Sequence, residues 1–300
     1  MSPRSLTDLQ APAKLNVFLR VVGRRADGYH LLQSLFVLLD WHDTLHLEVR
    51  ADGQIHRHDL GQVLPADDLC LRAARLLQRH SGCGLGADIS VDKVLPSGAG
   101  MGGGSSDAAT VLLGLNRLWN LNWGLPALAE LGLQLGADVP FFLGGGSAIV
   151  QGIGEQLTPV ALRPRGYLVV KPPVGVSTQT IFRDPDLTRD SKAAIVEGFL
   201  ADPSVMDSML DGGTNIPNDL QAVAVRHAPE IGSVVDWLKA RWGNGQMTGS
   251  GSAVFARETV ANAPLMATTS GQSLLQAKPE GWEARWCRSL VQHPMVARLG

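Results

Sequence analysis

Five of the seven residues from Gly98 to Gly104 are glycine, and Ser105, Ser106 and Asp107 follow at once. The run lies where an extended apolar pattern gives way to a helical one. Glycine lets the backbone take positive φ and approach a ligand with no Cβ in between. Successive N–H groups in such a loop form a nest for an anion, and a helix beginning at its end adds its positive pole. The two serine hydroxyls can donate to phosphate oxygens or help hold Mg²⁺. Together Pro96, Ser97, Gly98, Ala99, Gly100, Met101, Gly102, Gly103, Gly104, Ser105 and Ser106 suit a triphosphate.

Three other readings compete. A Walker loop needs GxxxxGK[ST], and no lysine follows these glycines. The dinucleotide fingerprint G-x-G-x-x-G is met by Gly98, Gly100 and Gly103, but it is weak without a series of βαβ units after it. A glycine-rich turn with no ligand is the third. It sits badly with the backbone entropy that so many glycines lose on folding.

The chain has 300 residues and a formal net charge of −2, with 45% hydrophobic and 18% charged residues. That is the composition of a globular protein with one large domain or two ordinary ones. Acids and bases are scattered, so no basic face points to nucleic acid. No apolar stretch approaches the ~20 residues of a membrane span, and residues 1–15 lack the apolar core of a signal peptide. Cys70, Cys83 and Cys287 are too few and too dispersed for a disulfide framework or a metal-binding pair. The expectation is a soluble cytoplasmic protein with reduced thiols, a monomer or weak homodimer, with no nucleic-acid or membrane partner.

The elements that must position the loop follow from periodicity. Ala13 to Val22, Leu31 to Leu39 and Thr44 to Val49 read as strands, the last with Leu45, Leu47 and Val49 on one side. Pro65 to Asp68 starts a helix that carries Leu69, Ala73, Leu76 and Leu77 at helical spacing and stops at Gly82. Asp88 to Leu95 is a strand with Ile89, Val91 and Val94 inward, and a helix from Ala108 to Leu118 follows the loop. Leu125 to Leu135 is a helix, Phe141 to Ile149 leads into a strand, and Leu168 to Val170 is another strand. Helices are expected at Ser191–Leu200, Asn218–His227 and Ile231–Arg241, and a strand at Ala253–Ala256. Ala261 to Gly281 has no clear period. Glycines and polar residues between Gln151 and Thr158 mark a domain boundary.

In that setting the loop resembles the phosphate-binding motif of the GHMP kinases, relatives of galactokinase, homoserine kinase and the mevalonate kinases. Ala11 to Asn16 resembles their N-terminal motif, and Met247 to Ser252 their C-terminal glycine motif. Arg25 to His30, Gly136 to Phe142 and Ser177 to Phe182 are similar to the branch whose substrate carries a cytidine diphosphate head. The likeness runs to about Leu290.

The resemblance implies an α+β fold of two domains: an N-terminal α/β ATP-binding domain over 1–155 and a C-terminal ferredoxin-like α+β domain over 156–300, with the active site in the cleft between them. It implies ATP with Mg²⁺ and a small-molecule alcohol bearing cytidine diphosphate. A homoserine- or mevalonate-type kinase, or a nucleotide-binding protein without turnover, are the alternatives. By the same likeness Asp138 is the base and Lys14 its electrostatic partner. Tyr29 and Phe182 stack on the base, His30 reads its edge, and Asn16 and Thr178 contact the diphosphate and sugar. Lys93 and Asp68 fall at adenine contacts; relatives commonly carry Asn where this chain has Asp68, so the amide donor is lost there.

Overall fold

The structure, a computed structural model, describes residues 4–193, 196–213, 216–263 and 275–299. Two long strands form its spine. β1 (Ser5–Arg24) and β2 (His30–Arg50) pair antiparallel almost end to end. The second is a single strand where two apolar runs were expected, because Asp40 to Asp43 continue the extended backbone. Beside them, β3 (Ile55–Asp59) runs parallel to β4 (Gly86–Asp92), which pairs antiparallel with β2. Val94, expected inside, lies beyond the end of β4 and is exposed.

Helix α1 (Leu69–Ser81) starts where expected. The Asp68 carboxylate accepts from the Leu71 N–H at its N-cap, and Gly82 ends it at φ 65° in the left-handed region. Helix α2 (Gly103–Leu118) begins five residues before the expected Ala108, because Gly103 to Asp107 are already helical. Helix α3 (Leu125–Leu133) follows. Phe141 and Phe142 are helical rather than strand-like: they belong to α4 (Val139–Gly144), and only β5 (Ala148–Gln151) is extended. These helices pack on one face of β1, β2 and β4 around a core that includes Leu9, Leu38, Leu45, Ile89 and Leu112.

The remainder comprises β6 (Gln156–Pro159), β7 (Gly166–Lys171), α5 (Thr178–Arg183), α6 (Val196–Ala201), α7 (Pro203–Asp211), α8 (Gln221–His227), α9 (Pro229–Trp242), β8 (Gln246–Met247), β9 (Val254–Arg257), β10 (Glu283–Leu290) and α10 (Pro294–Leu299). Residues 194–195 of the helix expected at Ser191–Leu200, and 264–274 of the stretch Ala261–Gly281, lie outside the described residues. β7 is flanked by β10 and β9, antiparallel to both, and α8 and α9 cover one face. β10 was not anticipated. It joins the two halves into one ten-stranded sheet by pairing Ser289 with Leu39 and Leu290 with Leu38. A middle core, with Leu15, Val17, Leu39, Tyr167, Val169 and Phe255, lies across that junction.

Gly114 lets α2 settle onto the spine. A Cβ there would run into Leu47 Cδ1 and lie 3.3 Å from Leu9 Cδ1. Gly114→Ala should therefore destabilise the protein by about 1–2 kcal/mol in urea unfolding. Overpacking of about 1–3 kcal/mol outweighs the gain of up to about 1 kcal/mol in helix propensity. An unchanged or raised midpoint would mean that the helix has room to spare.

Candidate active site

The glycine loop leaves β4 and runs straight into α2. That helix has no side-chain cap: Gly102 precedes it at φ 71° and contributes no capping bond. Its first N–H groups are without helical partners and border a cleft of about 350 Å³ lined by Pro96 to Gly104, Pro65, Asp68 and Lys93. An uncapped helix start beside open main chain is a site for an anion.

Against this loop lies the second glycine segment, Thr248 to Ser252. The N–H of Ser252 donates to Gly98 O at 3.3 Å, and that of Ala253 to Ala99 O at 3.2 Å. Gly100 sits at φ 78°; a Cβ on it would strike Thr248 O and come within 2.7 Å of Gly251 N. A Cβ on Gly251 would in turn collide with the main chain of Ala99 and Gly100. Asn218 clamps the second segment from behind, donating to Met247 O at 2.9 Å and Gly249 O at 2.8 Å. A helix was expected from Asn218 to His227. Asn218 does accept from the Leu220 N–H at 3.0 Å, although the helix itself starts at Gln221.

Lys14 and Asn16 come from β1, between two irregularities in its register with β2, at Pro12/Lys14 and Asn16/Phe18. Bulges re-aim side chains, and these two face the site while Ala13, Leu15 and Val17 enter the middle core. Lys14 Nζ lies 3.6 Å from Asp138 Oδ2, with the two side chains 4% and 33% exposed. The ammonium also donates to Asn16 Oδ1 at 2.5 Å and stands 4.5 Å from the centre of the Phe36 ring. Burial pulls the Lys14 pKa below the usual lysine value, and Asp138 opposes that shift. Asn16 is held in turn: its N–H donates to Thr248 Oγ1 at 2.8 Å and its amide to Ser34 Oγ at 2.9 Å. Asp138 is the residue before α4, whose first turn carries Pro140. The pair opens on a cavity of about 250 Å³ lined also by Thr178, Phe182, Gly249 and Ser250.

That cavity runs into a larger one, of about 570 Å³, with Leu32, Ile153, Thr178 and Phe182 common to both. Tyr29 stands on its rim, 60% exposed. His30 is stacked on Phe182, with ring centres 5.0 Å apart and planes 29° apart. Thr178 Oγ1 is hydrogen-bonded to Ser250 Oγ at 2.6 Å, tying α5 to the second glycine segment. All five residues expected at the acceptor, Asn16, Tyr29, His30, Thr178 and Phe182, thus line two connected spaces beside Lys14 and Asp138.

On the triphosphate side the expectations divide. Lys93 borders the cleft, but its ammonium is spent inside the protein, on Asp43 and on Asp107 at 2.5 Å. Asp43 also accepts from the Val94 and Leu95 N–H groups at 2.6 and 2.7 Å. These three side chains tie both ends of the glycine loop to β2. Two carboxylates share one lysine here, and burial pushes the Asp107 pKa up to about 7, with Asp43 adding to the rise and Lys93 opposing it. Asp68 lines the cleft too, with its Oδ1 engaged by Leu71 N–H and by Arg57 at 2.9 Å. Ser105 and Ser106 fall in the first turn of α2. Ser106 Oγ is buried without a hydrogen-bond partner, and a Cβ at Gly136 would lie 4.0 Å from Ser105 Oγ.

Ser34, Asp43 and Arg189 of this arrangement were not foreseen, while Asp107 and Ser250 lie in segments that the sequence singled out without giving either a role of its own. Asp43 carried a signal, an acid set between two apolar runs of what proves to be one strand. Arg189 carried none, since a lone arginine in a polar stretch is ordinarily solvated.

A family profile for the N-terminal domain of GHMP kinases matches residues 68–146. The chain is 53% identical over 300 residues to a 4-diphosphocytidyl-2-C-methyl-D-erythritol kinase of Methylibium petroleiphilum, covering 100% of both chains. Among solved structures, a 4-(cytidine 5'-diphospho)-2C-methyl-D-erythritol kinase superposes with a TM-score of 0.74 at 33% identity, over 94% of this chain and 98% of that one. The homoserine kinase of Cytophaga hutchinsonii superposes at 0.69 with 17% identity, over 97% and 96%, a likeness of fold.

The buried lysine–aspartate cluster makes its own prediction. Lys93→Met removes the one ammonium that Asp43 and Asp107 share, leaving buried carboxyl groups without a counter-charge, and should cost about 3–5 kcal/mol of stability. Asp107→Asn tests the sign. The pKa of about 7 lies above the ordinary carboxyl value of 3.8, so the folded state keeps a proton that the unfolded chain releases. That contribution is complete below the unfolded value and is lost as pH rises through the folded one. Urea midpoints at pH 5 and pH 8 should therefore differ less in Asp107→Asn than in the wild type. Parallel pH dependence in the two proteins would contradict this.

Proposed function

The chain belongs to the 4-diphosphocytidyl-2-C-methyl-D-erythritol kinases, a branch of the GHMP kinases, and we propose on that footing how its residues carry out the reaction. It is an ATP-dependent small-molecule kinase of α+β fold. It phosphorylates the 2-hydroxyl of 4-diphosphocytidyl-2-C-methyl-D-erythritol, giving the 2-phosphate and ADP, in isoprenoid precursor synthesis. Among the described residues no helix is long and apolar enough to cross a membrane; a cytoplasmic location is our reading.

The observation that carries the mechanism is the Lys14–Asp138 pair at 3.6 Å, set between the glycine cleft and the aromatic cavity. Asp138 accepts the proton of the substrate hydroxyl as the oxygen attacks the γ-phosphorus. A P–O bond forms to the alcohol while the bond to the β-phosphate oxygen breaks, and ADP leaves. Lys14 stands as counter-charge beside Asp138 and stabilises negative charge growing on the attacking oxygen. Burial lowers the Lys14 pKa, and the Asp138 carboxylate beside it opposes that shift.

Main-chain N–H groups of Gly98 to Gly104 hold the triphosphate, and the uncapped start of α2 faces its negative charge. That Gly100 and Gly102 have no room for a Cβ supports the cradle: one on Gly102 would lie 2.9 Å from Phe142 and 3.2 Å from Lys14. Adenine is assigned to the Pro65–Leu69 side of the cleft, where Lys93 acts through its ties to Asp43 and Asp107. Mg²⁺ suits oxygen donors; the Ser105 and Ser106 hydroxyls lie in the first turn of α2 just behind the residues that line the cleft, and Ser106 Oγ is buried without a hydrogen-bond partner of its own. When bound, the ion would offset charge on the phosphate oxygens. Among the described residues no three acidic, histidine or cysteine side chains converge on one point, so phosphate and water oxygens would complete its shell.

The cytidine head is assigned to the larger cavity, with Tyr29 and Phe182 as its stacking faces, His30 at the base edge, and Asn16 and Thr178 toward diphosphate and sugar. A sister kinase acting on homoserine or mevalonate would have no use for the aromatic pair.

Two measurements test this. Asp138→Asn should lower kcat by about 10²–10⁴-fold and leave ATP affinity, read by calorimetry, nearly intact; near-normal turnover would remove the assigned base. In ATP consumption assays across the cytidine diphosphate alcohol, homoserine and mevalonate, only the first should be turned over efficiently. Tyr29→Ala and Phe182→Ala should each then weaken its use by about 5- to 150-fold, the worth of one base–aromatic stack. Preference for either small alcohol would overturn the substrate.

A further inference from the structure

One charged side chain in the larger cavity has no part in the scheme above. Arg189 follows α5, and its guanidinium is fixed by main chain on nearly every side. Nη1 donates to Pro185 O at 3.2 Å and Leu187 O at 3.0 Å, and Nη2 to Phe182 O at 3.4 Å and Asp184 O at 2.6 Å. The remaining donor, Nε–H, meets His30 Nε2 at 3.1 Å.

A guanidinium donates and never accepts, so Nε2 must be the accepting nitrogen. A neutral imidazole that accepts there carries its proton on Nδ1. Protonating Nε2 would set two N–H groups against each other and place a second cation beside Arg189. The surroundings agree. Burial, Arg189 and then Arg24 hold the His30 pKa below its ordinary value. Arg183 lines the same cavity, and its acid, Asp27, is engaged by Arg25 at 2.7 Å. The ring is fixed in plane as well, by its stack on Phe182. Among the described residues no protein group is bonded to Nδ1, which leaves that N–H for a ligand.

We infer that Arg189 is a positioning residue for base recognition: its Nε–H fixes His30 as the neutral Nδ1–H form, so that the ring offers one donor to an acceptor on the edge of the pyrimidine. Cytosine presents N3 and O2 as acceptors on that edge. A ring with the opposite tautomer, or one that alternated between them, would meet the same atoms with a lone pair half of the time or more. The inference rests on the cytidine-headed substrate proposed above.

The test has an arm that needs no turnover. In the full-length protein, ¹H–¹⁵N NMR of the His30 ring should show Nδ1 protonated and Nε2 bare from pH 6 to pH 8. In Arg189→Leu the ring should take up its second proton at a higher pH than in the wild type, with burial and Arg24 still holding it below the ordinary histidine value. Kinetically, Arg189→Leu should raise KM for the cytidine substrate about tenfold at pH 6, the loss of one good hydrogen bond, with a smaller effect at pH 8 and kcat within about twofold. Arg189→Lys, which keeps a donor, should recover part of the loss. In a His30→Ala background, Arg189→Leu should add little, because a residue acting through His30 has nothing left to act on.

A ring protonated at Nε2 would overturn the inference. So would an equal rise in KM in both backgrounds at every pH, which is the signature of a buttress for the main chain from Phe182 to Leu187. An Nδ1–H spectrum from a protein that ignores the cytidine substrate would support the tautomer and count against the substrate.

Discussion

Everything in the site depends on two stretches of bare main chain lying against each other. Gly100 and Gly251 meet where neither can carry a Cβ, and a Cβ on Gly249 would lie 2.9 Å from Gly100 O, 3.0 Å from Asn16 Oδ1 and 3.4 Å from Lys14 Nζ. Because the contact is backbone on backbone, it holds the proposed phosphate cradle, the start of α2 and Lys14 in one frame. A side chain at that seam would part them by the thickness of a methyl group. It would also separate two halves of the chain some 150 residues apart in sequence, since the second segment is carried by β8, β9 and the Asn218 clamp. The acceptor cavities open beside the same seam, so a shift there would move donor and acceptor relative to each other, the error that phosphoryl transfer tolerates least.

Sequence patterning located the elements better than it located the chemistry. Leu45, Leu47 and Ile89 alternate cleanly and lie inward as the period requires. Where the pattern failed, a physical reason is at hand. The start of α2 is hidden by Gly103 and Gly104, poor helix formers that are helical here because the loop delivers them so. The six residues of α4 are too few, and too uniformly apolar, to show a helical period. β10 mixes Glu283, Arg285 and Arg288 with Trp286 and Cys287 on a partly exposed ladder, which no simple alternation describes.

The site was legible in a different way. Lys14 and Asp138 stand 124 positions apart, and nothing in composition or spacing could join them; only the motifs around each pointed to a common family. The motifs likewise named Asn16, Tyr29, His30, Thr178 and Phe182. What motifs left out are residues acting one step removed: Asp43 and Asp107 beneath the glycine loop, Ser34 and Asn218 behind Asn16 and Gly249, and Arg189 behind His30. Such residues show themselves by whom they touch, which is a property of the fold.

The charges are arranged on one plan. Lys14, Lys93 and Arg189 each lie at least partly out of water, a position a cation holds at a cost unless partners compensate. Each is compensated differently. Lys93 is shared by Asp43 and by Asp107, whose pKa is pushed up to about 7, so its charge is spent on these carboxylates and it acts by shaping the loop. Arg189 is held by main-chain carbonyls and a neutral imidazole and keeps its charge. Lys14 has one carboxylate and one amide oxygen, so its charge is balanced only while Asp138 stays ionised. Asp138 is the more exposed partner, and a bound alcohol would take the place of the water around it. Excluding that water strengthens every charge interaction in the proposed site, including that of Lys14 with the oxygen on which negative charge would grow. The proton taken by Asp138 would leave Lys14 without its counter-charge, were the negative charge not passing at that instant to the attacking oxygen. In the mechanism proposed above, the pair is therefore balanced before transfer and remains so during it.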